Sequence, residues 1–308
     1  MEKTQLYGLF LGLVSLLCAG ALALRVEKKA RYTVPLWAAL CVICGLLGAR
    51  LVYWLVNFEV YFTQLKNPLS FFWFRDGGLS MTGALLGAAL GTVLARALGG
   101  KKAGLSLPGM MDALAAPVCL MICFERLLEW LLLDMGFGPE MQSAGIFTVT
   151  RAYGPYLNTA LLSAVAAFIM ALWLLPFKGK RAGDCFLLFL LFYGLTQTLF
   201  ESLRTDAHMM WNFVHAQMLF AVLMAAFASA VFARRRHKLL QSLALSLLAA
   251  GLIVALEFAL DGRIKVPFDF LIPYAKRLWY GLYLLVLALY AWATVRFFYR
   301  GHKEAAHA

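Results

Sequence analysis

Charged side chains are scarce in this chain. They make up 14% of its 308 residues, against 63% hydrophobic ones, and the mean hydropathy is +0.77. A water-soluble domain of that length needs a polar coat that this composition does not supply. Segments of alternating polarity, the mark of a spanning β-barrel, are also missing. The apolar runs are about twenty residues long and uninterrupted, which is the length a helix needs to cross a bilayer. Ligand-bearing residues are few as well. There are only five histidines, and the six cysteines all lie inside apolar segments. Cys41-x-x-Cys44 has no second Cys or His pair at ligand spacing nearby, so it reads as small apolar packing rather than as a zinc or redox site. No Ser-His-Asp order, phosphate-binding glycine loop or metal cluster stands out, and neither a metal nor a cofactor is expected. Soluble domains, low-complexity linkers and internal repeats are likewise missing.

What is present is a series of apolar spans separated by basic clusters. The reading is an all-α polytopic membrane protein of about nine spans, at about 6–24, 34–57, 78–98, 107–133, 154–175, 183–203, 211–232, 239–259 and 278–298. The net charge of +12 would suit nucleic acid, but its distribution excludes that partner. Most Lys and Arg follow alternate spans, as in Arg25/Lys28/Lys29/Arg31, Arg96/Lys101/Lys102, Lys178/Lys180/Arg181, Arg234/Arg235/Arg236/Lys238 and Arg296/Arg300/Lys303. By the positive-inside rule these clusters are cytoplasmic, which places the N-terminus outside and the C-terminus inside. The first span also resembles a secretory signal, with Lys3 ahead of it and Ala19-Gly20-Ala21 at its end. The basic cluster that follows opposes translocation, so the segment is read as a span.

Residues 1–235 read as one transmembrane domain and 236–308 as an appended two-helix hairpin with a short basic tail. Between spans two and three, Tyr61, Phe62, Phe71, Phe72, Trp73 and Phe74 around Pro68 read as an interfacial segment on the outer face. Glu257, near the end of the eighth span, reads as an interfacial residue.

Function is best sought among the ionisable residues inside the spans, because each costs on the order of 2.5–3.5 kcal/mol in hydrocarbon and needs a partner or water. Arg50 lies in span two, Arg126 in span four beside Glu125 and Glu129, and Glu201 with Arg204 at the end of span six. These positions fall at similar depth near the outer side. Arg126 and Glu129 are i,i+3, as are Glu201 and Arg204, so each pair shares a helix face. Arg50 has no acidic residue within four positions. A layer of arginines suits an anionic lipid phosphate, since the guanidinium fork binds phosphate oxygens bidentately and stays charged. Gly83-x-x-x-Gly87-x-x-x-Gly91 on span three reads as close helix packing. His208 and His215 are the sparse candidate bases, with an interfacial position as the plainer reading of each.

These residues resemble the bacterial prolipoprotein diacylglyceryl transferases. The likeness runs from Tyr7-Gly8-Leu9 through Gly48-Ala-Arg50-Leu-Val-Tyr53, Asp76-Gly-Gly-Leu-Ser80, Gly83, Gly87, Asp112-x-Leu-Ala-x-Pro117, Arg126, Tyr193-Gly194, Glu201-Ser-Leu-Arg204 and Gln217. The resemblance implies a seven-helix core in the bacterial cytoplasmic membrane. It implies transfer of diacylglycerol from phosphatidylglycerol to the lipobox cysteine of a secreted prolipoprotein precursor. It makes Arg126 the phosphatidylglycerol-binding arginine, with Tyr7, Arg50, Tyr53, Glu201 and Arg204 lining the cavity. Several family positions differ. Thr82 stands for a histidine, Glu129 for the asparagine of an arginine-glycine-asparagine signature, and Gln197 for a second arginine. With Thr82 unable to accept a proton, that role falls to Glu129, Glu201 or His208. The same substitutions support an alternative, a non-catalytic protein on this scaffold that binds an anionic phospholipid or a lipoprotein partner. A third possibility is an enzyme with a different lipid acceptor.

Overall fold

The computed structural model describes residues 3–58, 61–62, 78–133, 135–177, 179–205, 209–210, 214–235, 237–262 and 275–304. Among them run nine helices: α1 (Lys3–Arg25), α2 (Val34–Val56), α3 (Met81–Ala95), α4 (Leu107–Leu128), α5 (Thr159–Leu174), α6 (Asp184–Leu203), α7 (Ala216–Arg234), α8 (Leu239–Leu260) and α9 (Ala275–Glu304). Eight of the helical stretches are long and apolar enough to cross a bilayer. The chain is a multi-pass helical membrane protein.

The ninth helix, α5, has 16 residues. At 1.5 Å per residue it rises about 24 Å, and its length is just under the roughly 17 residues at the low end of the spanning range. The expected fifth span began at 154, but residues 154–158 are extended. Gly154 sits at φ 137°, and Pro155 has no N–H for a ladder. Asn158 then caps the helix, its side chain accepting from the Leu161 N–H at 2.9 Å. The extended piece is β3 (Gly154–Asn158), central in an antiparallel sheet between β1 (Phe137–Glu140) and β2 (Thr148–Arg151). Apolar periodicity does not announce so small a sheet.

The chain forms two compact units, one of Met1–Phe189 with Leu203–Met210, the other of Leu190–Ser202 with Trp211–Ala308. In the first, Leu22, Trp37, Met110 and Leu114 form a buried core. The indole of Trp37 donates to the Thr92 hydroxyl at 3.0 Å, tying α2 to α3. Glycine lets these two helices approach at backbone contact. A Cβ on Gly83 would run into the Gly48 carbonyl, and one on Gly87 into the Cys44 carbonyl. Cys41 and Cys44 therefore sit in a packing seam, and both are free thiols.

Two polar side chains close helix ends in the same unit. Asp112 accepts from the N–H groups of Gly183 (2.7 Å) and Phe186 (2.9 Å), which caps the start of α6 from a neighbouring helix. Arg25 donates to the orphan carbonyls of Leu174 (3.2 Å) and Leu175 at the end of α5. The Asp112-x-Leu-Ala-x-Pro117 motif thus does structural work at a helix terminus.

The second unit holds most of α6 with α7, α8 and α9. Met218, Ile253, Leu256, Tyr283 and Leu287 form its core. Hydroxyls cross between the helices inside it: Ser229 with Ser242 (2.8 Å), Thr294 to Ser229 (3.1 Å) and Ser246 with Tyr290 (2.8 Å). Such interhelical hydrogen bonds and small residues hold helices together where water supplies no hydrophobic drive. Glu257, in the last turn of α8, is covered by protein. Helix α8 carries it inward, on the face shared with Ile253 and Leu256.

Candidate functional site

The C-terminal end of α4 gathers the charges. There the α-helix gives way to a wider π-helical turn, Glu129–Leu133, a feature that often accompanies functional positions. Arg126 is 4% exposed and Glu129 7%, so both charges depend on protein partners. Arg126 pairs with Glu129 through the i,i+3 relation and lies 3.4 Å from Glu125. The Tyr7 hydroxyl of α1 donates to the other Glu125 oxygen at 3.3 Å. Arg204, just past α6, places a guanidinium nitrogen 3.1 Å from the second oxygen of Glu129.

Glu129 therefore bridges two arginines, one oxygen to each. The two guanidinium groups and two carboxylates balance in charge, which is what allows such a cluster to be buried. The arrangement has a chemical consequence. The donors that Glu129 engages are those that would bind a phosphate.

Arg50 is built differently. It is 1% exposed, donates to the Gly78 carbonyl at 3.1 Å and lies 6.0 Å from the centre of the Tyr53 ring, within cation–π range. Gly78 has φ 77°, and the Tyr53 ring occupies the space a Cβ would need. This accounts for the glycine that ends the Asp76-Gly-Gly motif, whose first two residues lie outside the described set. Just beyond, the Ser80 N–H bonds the Ala49 carbonyl at 3.0 Å, and its hydroxyl caps α3 at Gly83. Thr82 follows, buried in the first turn of α3.

In the other unit, Gln197 donates to Glu201 at 2.7 Å, one turn apart on α6, and both are buried. His208 lies outside the described residues.

The expected site residues thus fall into groups. Tyr7, Arg126, Glu129 and Arg204 share one network, Arg50 and Tyr53 a second set of contacts, and Gln197 and Glu201 a third. The spacing of Arg126 and Glu129 foretold their pairing. Arg204 contacts Glu129, a partner 75 residues away that helical spacing cannot reveal. From the sequence, Glu125 is named beside Arg126 but is given no role in the site. Its signal was its position beside Arg126 within an apolar run, where a carboxylate needs a donor.

The family model for prolipoprotein diacylglyceryl transferase matches residues 2–234. The chain belongs to the prolipoprotein diacylglyceryl transferase family. The matched region covers α1 to α7 and ends before the hairpin α8–α9. Similar proteins include the phosphatidylglycerol–prolipoprotein diacylglyceryl transferase of Shouchella clausii, 24% identical over 205 residues, which are 62% of this chain and 71% of that protein. The transferase 1 of Streptomyces coelicolor is 24% identical over 180 residues, 56% of this chain and 50% of that protein. The enzyme of Thermotoga maritima is 27% identical over 197 residues, 59% of this chain and 64% of that protein. The matches thus span between half and about seven-tenths of these relatives' lengths. In this member of the transferase family, Arg126-Leu-Leu-Glu129 carries a salt bridge between its first and last residues.

Proposed function

We propose that this chain is a divergent phosphatidylglycerol–prolipoprotein diacylglyceryl transferase of the bacterial cytoplasmic membrane, with its N-terminus outside and its C-terminus in the cytoplasm. The observation that carries the reading is the buried pair of arginines held on one carboxylate, Arg126 and Arg204 on Glu129.

The reaction balances as follows. A lipobox cysteine gives up its thiol proton, and the thiolate attacks the glyceryl carbon that bears the phosphate. The carbon–oxygen bond breaks, a thioether forms, and glycerol 1-phosphate leaves with the bonding electrons. Its phosphate gains negative charge as the bond breaks, and preorganised guanidinium groups stabilise that change most. Arg126 and Arg204 take this role, with Arg50 as a further phosphate ligand and Tyr7 and Tyr53 lining the headgroup space.

Glu129 links the two halves of the chemistry. Taking the thiol proton neutralises its carboxylate and loosens its hold on both arginines, which then turn to the departing phosphate. Thr82, in place of the family histidine, cannot accept that proton. Glu201, oriented by Gln197, and His208 are the alternative acceptors.

A second reading is a non-catalytic lipid- or lipoprotein-binding protein on the same scaffold. The specific observation favouring it is that Glu129 already engages the arginines. Complementation separates the two. A strain depleted of its own transferase and expressing this chain lipidates a reporter prolipoprotein if the first reading holds. Normal membrane expression without lipidation overturns it.

A further inference from the structure

The hairpin α8–α9 lies beyond the family match, yet it meets α6 at the turn that carries Glu201. The Tyr280 hydroxyl donates to the backbone carbonyl of Ser202 at 3.3 Å. Ser202 is in the last turn of α6, where carbonyls have no partner within the helix. The Tyr283 hydroxyl lies 3.3 Å from the Thr198 carbonyl, one turn earlier. The same hydroxyl lies 3.3 Å from the Met218 sulfur of α7. Thr198 and Ser202 are i,i+4 and mark one line along α6. Gln197 and Glu201 are also i,i+4 and mark the adjacent line, about 100° around the helix. The hairpin therefore grips the helix beside Gln197 and Glu201.

From this we infer that Tyr280 and Tyr283 are positioning residues that set the rotation and order of the α6 C-terminal turn and so aim Glu201. The inference rests on the proposed transferase reading for its catalytic consequence, but its structural part can be tested without it. The hydroxyls act on backbone carbonyls. They need no particular side chain on α6, only the helix's place in the unit.

The test uses the full chain in phosphatidylglycerol nanodiscs, comparing wild type with the double variant Tyr280→Phe/Tyr283→Phe, which keeps both rings. Tyr290→Phe, which removes a hydroxyl bonded to Ser246 in the same hairpin, is the control. Hydrogen exchange at the α6 amides from Leu199 to Leu203 rises about tenfold in the double variant, while α3 amides and the Tyr290→Phe protein match wild type. Transfer by the double variant shows kcat reduced about tenfold with KM for phosphatidylglycerol within twofold. Unchanged exchange on α6 overturns the inference whatever the activity. Faster exchange with an unchanged kcat overturns the aiming of Glu201. Faster exchange with no turnover even by wild type upholds the grip on α6 and overturns the proposed reaction instead. Should the double variant not be produced, Tyr280→Phe alone is read by the same measurements.

Discussion

At the scale of single residues, the proposed chemistry turns on what Glu129 does for its two arginines. Removing Arg126 leaves Glu125 and Glu129 buried without their nearest cation. Arg126→Ala is therefore expected to cost about 3–5 kcal/mol, measured by thermal unfolding in detergent, and the double change Arg126→Met/Glu129→Met to recover most of that loss. Arg126→Lys keeps the charge but not the planar fork. Transfer by that variant falls at least about 100-fold, the usual result of losing one preorganised donor to a developing charge. Glu129→Asn installs the amide that the family resemblance implies at this position and distinguishes two roles. If Glu129 takes the thiol proton, kcat falls about 100-fold or more. KM for phosphatidylglycerol falls with it, because the arginines are released from a competing carboxylate. A rise in kcat would mean that Glu129 only occupies the phosphate site.

At the scale of helices, two devices position these residues. The seam between α2 and α3 has no room for a Cβ at Gly83 or Gly87. Gly87→Val is expected to force the helices apart at a cost of about 1–3 kcal/mol. Because Arg50 and Thr82 lie on those two helices, lipid co-purification is expected to fall with stability. The second device is the capping of α6 by Asp112. Asp112→Ala removes an acceptor from two N–H groups and is expected to lower stability by about 1 kcal/mol, with faster amide exchange at Cys185–Leu187 as the local readout. Helix identity was plain from the apolar runs, and the glycine spacing pointed to close packing. The start of α5 was less legible. A run of apolar residues from 154 carries the same composition whether extended or helical, and only Gly154, Pro155 and the cap at Asn158 decide the boundary.

At the scale of the whole chain, the membrane class and the family were legible because intramembrane arginines and their flanking motifs are rare in apolar sequence. The partners of those arginines were less so. Short-range spacing discloses Arg126 with Glu129. The reach of Tyr7 to Glu125, and of Arg204 to Glu129, follows from tertiary packing alone. The burial of Glu257 was hidden for the same reason, since hydropathy places it near a helix end without saying what covers it. The five basic clusters make a global prediction too. Reporter fusions after Lys29, Lys102, Arg181, Lys238 and Lys303 should all report the cytoplasm, and a tag at the N-terminus the outside. A basic cluster found outside would mean that the helices thread differently.

The most direct measurement is transfer by the purified full chain in phosphatidylglycerol liposomes given a lipobox peptide, with products followed by mass spectrometry. Expected are a peptide bearing one diacylglyceryl group on cysteine, glycerol 1-phosphate in equal amount, and neither product from Arg126→Lys beyond about one hundredth of the wild-type rate. Lipid that binds and is displaced by Arg126→Ala, with no thioether formed by the wild-type chain, would contradict the proposed transfer.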